Sequence, residues 1–236
     1  MKKYIVFLLF LSCVKTPSSH QAISVNVIPT ENLYIAMQNL VRVDISAMNH
    51  TSFNTPIYES FQCNGTIVDD YATVLTSAHC VSYSYNIKVT LFEFNELRFH
   101  IKQEDVEYDI YAISEKDDIA IIKPKIPFFI NHHAIILTEY DKKPYISDTI
   151  YYVDRDLTLK SALISKDHIH ILLDTGQSMD AFEMIAEPKH GNSGGPIFNE
   201  DGNVIGIFCA ADFSSYLSYG IYTYDKFEYF DFLGVD

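Results

Sequence analysis

Three short segments of the chain carry the side chains needed for a covalent acyl-transfer reaction. The first contains His79, the second contains Asp118, and the third contains Ser193 within a glycine-rich run at 191–196. A serine hydroxyl is a poor nucleophile at neutral pH and needs an adjacent base, a role suited to histidine. A carboxylate can hold the histidine ring in the correct tautomer and stabilise the imidazolium that forms. These residue types therefore indicate nucleophilic catalysis at an acyl group.

The order of the three residues along the chain narrows the choice of fold. They follow one another as histidine, aspartate and serine, whereas other serine hydrolases use the orders Ser–Asp–His or Asp–His–Ser. The segments read TSAHC, DDIAII and GNSGGP. In these blocks the chain resembles the trypsin/chymotrypsin-like serine peptidases, and the resemblance covers about residues 33–233. It implies that His79 is the general base, that Asp118 orients it, and that Ser193 is the nucleophile.

Two adjacent aspartates could supply the carboxylate. Asp118 is followed directly by the run IAII, as the family motif requires. Asp117 is one residue out of register, and its side chain would leave an extended backbone in the opposite direction. We therefore predict that Asp118 contacts the histidine.

The glycine-rich run carries a second set of expectations. The resemblance implies that the backbone N–H groups of Gly191 and Ser193 bind the oxyanion of the tetrahedral intermediate. Gly194 and Gly195 would allow the tight turn that this geometry needs. Asn192 stands where the animal digestive branch has an aspartate, which pairs with a new N-terminal ammonium. A neutral amide cannot form that ion pair, so we expect no zymogen-type activation. An asparagine at this position resembles the bacterial members of the family.

Three residues are candidates for the substrate pocket. Glu187 lies six positions before the nucleophile, which in the family is the base of the S1 pocket, and would favour a basic P1 residue. Lys189 stands where the trypsin branch has a disulfide cysteine, so no shared cysteine fixes the alignment of this loop with the family. His190 could instead lie on the pocket rim, and Gly220 is expected to leave the far wall open.

The resemblance also implies a disulfide. In the family a cysteine directly follows the catalytic histidine, as Cys80 does here, and Cys63 lies about where its partner belongs. Closing a loop of that size stabilises a fold by about 3 kcal/mol in the chain-entropy model. Cys209 is then left over in an apolar run, which predicts a buried, inert thiol.

Residues 1–19 are predicted to be an export signal. Two lysines are followed by an apolar run that Lys15 interrupts, so the run is too short for a permanent transmembrane helix. The tripeptide at 11–13 resembles a bacterial lipoprotein box, in which Cys13 would be lipidated. The alternative is that Cys13 belongs to a discarded peptide. Both interpretations predict a secreted or cell-envelope protein, either periplasmic or a surface lipoprotein, without a transmembrane span in the mature chain.

Short alternating or apolar runs separated by turn signals recur along the chain and predict antiparallel β-structure. The family resemblance implies an all-β fold of two six-stranded antiparallel β-barrels with a C-terminal helix. We assign the first barrel to 33–123, the connection to 124–145, and the second barrel with its helix to 146–236. The first barrel would carry the histidine and aspartate, and the second would carry the serine.

Composition limits the classes of partner. The chain has 31 acidic and 17 basic residues and a net charge of −14, which argues against binding to nucleic acid or anionic lipid. No cofactor motif is present. His168 and His170 alternate on one strand face and could hold a metal, but such pairs are more often solvated, so we predict no metal site.

Taken with the resemblance, these features predict an exported serine endopeptidase acting on protein or peptide substrates. The alternative is a catalytically silent homologue that binds a partner protein through the same cleft. Loss of a triad residue would mark the silent class, and all three residues are present.

Overall fold

The computed structural model describes residues 25–50, 56–95, 98–130, 144–172 and 178–223. Within these ranges the chain forms two antiparallel β-sheets and two short helices. The predicted all-β fold of two barrels is confirmed. The elements are β1 (Val25–Asn26), α1 (Glu31–Met37), β2 (Leu40–His50), β3 (Pro56–Ile67), β4 (Val74–Ser77), α2 (Ala78–Val81), β5 (Ser84–Asn95), β6 (Arg98–Ser114), β7 (Ile119–Pro124), β8 (Thr149–Val153), β9 (Leu159–Leu172), β10 (Ser178–Ile185), β11 (Pro196–Phe198), β12 (Val204–Asp212) and β13 (Leu217–Tyr222).

The first barrel is closed, with the strand order β2-β3-β4-β7-β6-β5. Its interior is filled by small and β-branched side chains such as Val43, Val89 and Ile122, none of which is exposed to solvent. Such residues suit a pleated surface that is buried on one face. Closure leaves β4 next to β7, which places the ends of these two strands side by side.

The second sheet has the order β9-β10-β13-β12-β11-β8, and β8 pairs back with β9 to close the ring. A seventh strand, the two-residue β1, was not expected. It pairs with Lys160 and Ser161 at the start of β9. Strand β10 reaches only as far as Leu163, so this part of β9 would otherwise present unpaired backbone groups at a strand edge.

The two barrels pack against each other through two apolar clusters. Helix α1, capped by the Thr30 side chain, contributes to one cluster together with Phe94 of the first barrel and Phe198 of the second. The other cluster joins Leu75 of β4 to Ile207 of β12. These contacts set the position of β4 and β7 relative to the loop that precedes β11.

Several predicted segments lie outside the described residues. They are the leader at 1–19, residues 131–143 of the inter-barrel connection, and the C-terminal helix from residue 225 onward. The predicted domain boundaries therefore stay predictions. No helix in the described part of the chain has the length and apolar character needed to cross a membrane.

Candidate active site

His79 and Asp118 meet because their strands are neighbours. Strand β4 ends at Ser77, β7 begins at Ile119, and these two residues are paired across the sheet. His79 follows in the first turn of α2, and the ring Nδ1 lies 2.8 Å from Asp118 Oδ2. The backbone N–H of His79 donates a second hydrogen bond, 2.8 Å long, to Asp118 Oδ1. One carboxylate thus orients both the backbone and the ring of the histidine.

The structure separates the two adjacent aspartates. The Asp118 side chain is 5% exposed and faces the ring, whereas the Asp117 carboxylate accepts a 2.8 Å hydrogen bond from the hydroxyl of Ser114. Asp118 has a φ of +51°, in the left-handed region that aspartate tolerates better than most residues. Asp118 therefore contacts His79, whereas Asp117 contacts Ser114.

The environment of His79 sets its protonation. Burial disfavours the charged ring and by itself would lower the pKa. The negative charge of Asp118 and its hydrogen bond outweigh this effect and raise the pKa above 6.5. The His79 side chain is still 40% exposed, so the ring can exchange a proton with a molecule that approaches from solvent.

The cysteines fix the helix that carries His79. Cys63 on β3 and Cys80 in α2 form a disulfide with a Cα–Cα distance of 6.4 Å. Their sulfurs and the His79 ring lie within 4.8 Å of one another. Because the sulfurs are bonded to each other, they offer no thiolate to a metal ion.

Cys209 has a buried free thiol, which donates a 3.3 Å hydrogen bond to the backbone oxygen of Tyr219. Burial, and after it the charge of Asp118, raises the pKa of this thiol well above its usual value. The thiol is therefore protonated and unreactive at neutral pH, the state that the sequence predicts for it.

Ser193 lies in a tight turn that docks on the first barrel. Its backbone oxygen accepts a 2.8 Å hydrogen bond from the N–H of Asn64, next to the disulfide on β3. The following Gly194 has a φ of +75°, and a Cβ there would overlap Thr76 Oγ1 and the Asn64 carbonyl. Glycine is required at this position because the turn approaches the first barrel so closely.

Two backbone N–H groups of this turn have no acceptor among the described residues. Among the described residues, neither the N–H of Gly191 nor that of Ser193 donates a hydrogen bond. The Ser193 hydroxyl and the His79 ring are likewise not hydrogen-bonded to each other in this part of the chain. Catalytic contacts of this kind are often long before substrate binds. Within the described residues, the turn that carries the Ser193 hydroxyl thus has two N–H groups without an acceptor.

The loop before Ser193 is tied to the turn between β8 and β9. Asn192 is 3% exposed, and its Oδ1 accepts a 2.8 Å hydrogen bond from the backbone N–H of Arg155. Lys189 Nζ lies 2.8 Å from carboxylate oxygens of both Asp154 and Asp156. Sequence reasoning did not single out this turn. The one signal was Lys189 itself, a cation where related peptidases have a cysteine.

A cleft of about 500 Å³ runs between the barrels beside this loop. Gly191, His190 and Arg155 border it from the second barrel. The first barrel contributes Phe61 and Gln62 of β3, together with neighbouring residues of β2 and β5. The free donors and the cleft therefore occupy the same side of the molecule.

The structure places the predicted pocket residues apart. Glu187 is exposed, and the ring of His190 stacks on Phe213 with 4.5 Å between centroids. Gly220 is buried, and a Cβ there would meet Phe182 and Ile197 of the barrel core. The Cβ side of Gly220 therefore faces the barrel core. Of the three residues, His190 borders the cleft, whereas Glu187 and Gly220 are not among the residues that line it.

The two strand histidines also have separate partners. His170 Nδ1 lies 2.6 Å from a carboxylate oxygen of Asp180, and the His168 ring packs against Tyr222 with 5.5 Å between centroids. His168 has a φ of +46°, which interrupts the alternation that would place both rings together.

Comparison with known proteins gives three kinds of match. The model of the trypsin-like peptidase domain matches residues 63–207. The chain is 28% identical over 155 residues to "Serine protease HTRA1A" of Danio rerio and 30% identical over 149 residues to "Serine protease HTRA3" of Mus musculus. It superposes on the solved structure of "HtrA-type protease AlgW with tripeptide" with a TM-score of 0.64 and 20% identity, over 85% of this chain.

The matches cover only part of the relatives. Each of the two sequence alignments covers 61% of this chain. They cover only 29% of the Danio rerio protein and 31% of the Mus musculus protein, respectively. The superposition covers 61% of the AlgW chain. The family model spans more than half of the 236-residue sequence and includes the histidine, aspartate and serine segments.

Proposed function

Because the chain belongs to the family of trypsin-like peptidase domains, we propose that it is an exported serine endopeptidase that forms an acyl-enzyme on Ser193. The observation that carries this proposal is the His79–Asp118 pair, at 2.8 Å, in a fold that docks the Ser193 turn on strands β3 and β4 of the barrel that carries this pair. The free N–H groups of Gly191 and Ser193 support it further, because unpaired donors beside a nucleophile can bind a developing oxyanion.

The first half of the reaction follows from these positions. The Ser193 hydroxyl oxygen attacks the scissile carbonyl carbon, and the hydroxyl proton passes to Nε2 of His79. Asp118 holds Nδ1–H and stabilises the imidazolium. The carbonyl oxygen becomes an oxyanion, which accepts hydrogen bonds from the N–H groups of Gly191 and Ser193. Collapse breaks the C–N bond as His79 returns the proton to the leaving amine.

The second half repeats these steps with water. His79 removes a proton from a water molecule, whose oxygen attacks the ester carbon of the acyl-enzyme. The same two N–H groups stabilise the second oxyanion. His79 then protonates Ser193 Oγ as the ester bond breaks, which releases the carboxylic acid and regenerates the enzyme.

Protein or peptide segments are the proposed substrates. The open cleft between the barrels can accommodate an extended chain, and a solved relative has been obtained with a tripeptide. The exposed carboxylate of Glu187 would favour a basic residue at P1. A peptide library with mass-spectrometric readout reports this preference directly.

Export is proposed from the leader and from the disulfide. A basic start and a short apolar run at 1–19 are typical of a signal sequence. A disulfide beside His79 suits an oxidising compartment. The product would be secreted or held in the cell envelope, and intact-mass analysis of exported protein distinguishes lipidated Cys13 from a cleaved leader.

The chemical proposal is tested with a fluorophosphonate probe, which reacts with activated serines. We expect the folded wild-type chain to be labelled at Ser193, and we expect Ser193→Ala and His79→Ala to abolish labelling. Peptidase activity should fall by about 10⁴-fold or more in each variant, because triad residues act as a unit.

Asp117→Asn is the matched control for this experiment, because Asp117 is adjacent to Asp118 but bonds to Ser114. It should be labelled at the wild-type rate. A folded wild-type chain that is neither labelled nor active would instead support the silent homologue that binds a partner through the cleft.

A further inference from the structure

We propose that Asp154 and Lys189 are positioning residues, whose ion pair orients the backbone N–H group of Gly191. This inference rests on the proposed function, because it concerns the donors assigned to the oxyanion. We name residues 187–193 the oxyanion loop and residues 154–158 the β8–β9 turn. The ion pair joins these two segments.

Asp154 is the anchor of this arrangement. Its side chain is 2% exposed. Its Oδ1 accepts hydrogen bonds of 3.0 Å from the backbone N–H groups of Asp156 and Thr158, which leaves Oδ2 for Lys189. The carboxylate is therefore held by the turn that carries it and cannot move independently of that turn.

Lys189 connects this anchor to the oxyanion loop. Its ammonium lies 2.8 Å from Asp154 Oδ2 and 2.8 Å from Asp156 Oδ2, and the side chain is 27% exposed. Hydrogen bonds to Asp154 and Asp156 raise the pKa of Lys189, so the side chain stays charged throughout the neutral range. Charge-assisted bonds of this length are about twice as strong as neutral ones.

A second tether holds the other side of Gly191. Asn192 Oδ1 accepts the Arg155 N–H at 2.8 Å, and the Asn192 N–H donates to the backbone oxygen of Lys189 at 3.2 Å. The stem of Arg155 passes 3.2 Å from the position that a Gly191 Cβ would occupy. Gly191 thus lies between two contacts with the same turn.

The consequence concerns the rate of catalysis more than substrate affinity. An oxyanion exists only in the transition state and the intermediate. N–H donors that are poorly oriented toward it therefore lower kcat while KM changes little. A displacement of about 1 Å at a positioned group can cost about 10²-fold in rate.

The test removes both charges together, so that no unpaired ion is left buried. In Asp154→Asn/Lys189→Met the new amide oxygen at position 154 can still accept the turn hydrogen bonds, and the thioether at position 189 nearly keeps the length of the side chain. We expect kcat on a peptide substrate to fall by about 10- to 100-fold with KM within about threefold of wild type. The single variant Lys189→Arg, which retains the ion pair, should keep most of the wild-type rate.

The matched control is Lys166→Met/Glu183→Gln. This pair is also in the second barrel, has a 3.0 Å contact and a Glu183 side chain that is 7% exposed, but makes no contact with the oxyanion loop among the described residues. It should leave kcat unchanged. Equal losses of kcat in both double variants would show that the effect is general destabilisation, and would overturn the inference.

A second measurement does not depend on activity. Amide hydrogen exchange read by mass spectrometry should speed up by about tenfold or more over 189–195 in Asp154→Asn/Lys189→Met, while residues 77–81 around His79 stay as in wild type. Unchanged exchange over 189–195 overturns the inference. An unlabelled wild-type chain would contradict the proposed function, and the exchange result would still decide whether the ion pair holds the loop.

Discussion

The two halves of the candidate site are held in different ways. His79 and Asp118 are fixed within the first barrel by paired strands, by two hydrogen bonds to one carboxylate and by a disulfide. The oxyanion loop is held by the side chains of Asn192 and Lys189, which reach a turn more than thirty residues away. The first half is built into strand pairing, whereas the second depends on side-chain contacts that single substitutions can remove.

This difference predicts different sensitivities. Covalent and strand contacts do not respond to salt, whereas an ion pair with a lysine side chain that is 27% exposed is partly screened. The backbone geometry of the half that contains His79 and Asp118 (the base half) should therefore hold as salt rises, whereas the half that contains the oxyanion loop (the loop half) should weaken. Variants that disturb one half and leave the other intact can separate the two.

The largest expected effect comes from Asp118→Asn, which disturbs the base half. We expect a loss of about 10⁴-fold in kcat, because the amide no longer selects the reactive tautomer. The pKa of His79 should also fall, since the carboxylate that raises it is gone and burial remains. Because the base must be neutral, the acid limb of kcat/KM should move to lower pH, measured between about pH 5 and pH 9.

The His79–Asp118 pair also makes the stability of the fold depend on pH, and its contribution is largest in acid. The raised pKa of folded His79 means that the pair stabilises the fold fully below 6.5, and that this contribution is lost as pH rises through the folded value. Denaturant unfolding of wild type and Asp118→Asn should therefore differ more at about pH 5.5 than at about pH 9. An acid limb of kcat/KM that stays in place would argue against the assignment of Asp118, and Asp117→Asn is the matched control.

An intermediate effect is expected from removing the disulfide. Cys63→Ala/Cys80→Ala should lower the free energy of unfolding by about 3 kcal/mol, because the denatured chain regains the entropy of an open loop of 17 residues. We expect kcat to fall by less than about tenfold, since the strand pairing and the Asp118 hydrogen bonds remain.

Cys209→Ala is the control for that variant, because it removes a buried sulfur without a crosslink. Urea unfolding and peptide mapping without reductant measure both outcomes. A crosslink that includes Cys209 would contradict the strand register of the two barrels.

The smallest effect is expected from extending the mature N-terminus. Asn192 Oδ1 is bonded to the N–H of Arg155, and a neutral amide provides no counter-charge for a buried ammonium. A short tag placed before Ser18 should therefore change kcat/KM by less than about twofold. If the tag abolishes activity and proteolytic removal restores it, the loop half depends on the N-terminus and is not held by side-chain contacts alone.

Much of the fold was predictable because it depends on local patterns. Alternating apolar runs indicated antiparallel strands, and the ordered histidine, aspartate and serine segments indicated two barrels, as the structure confirms. The seventh strand β1 was not predictable. Two residues carry too little periodicity to mark a strand, and its pairing depends on where β10 ends.

The residues of the candidate site divide in the same way, into those predictable from local sequence and those whose surroundings depend on packing. Choosing Asp118 over Asp117 needed only the family motif and the alternation of side chains along an extended backbone. The role expected for Gly220 in the substrate pocket stays a prediction, and the structure adds that the ring of Phe182 occupies the Cβ side of this glycine. What fills a space is a property of the packed barrel and leaves no mark at the glycine itself.

The sequence by itself determined the residue types that can carry out acyl transfer, their order, the cysteines available to crosslink and the glycine demanded by the turn at 194. These features are recorded in single residues or short runs. The tertiary structure alone decided that Asp154 and Arg155 lie beside the oxyanion loop and that His190 stacks on Phe213. The reason is that β8, β9, β11 and β12 are separated by loops, and only closure of the barrel brings their turns together, so no spacing along the chain encodes these contacts.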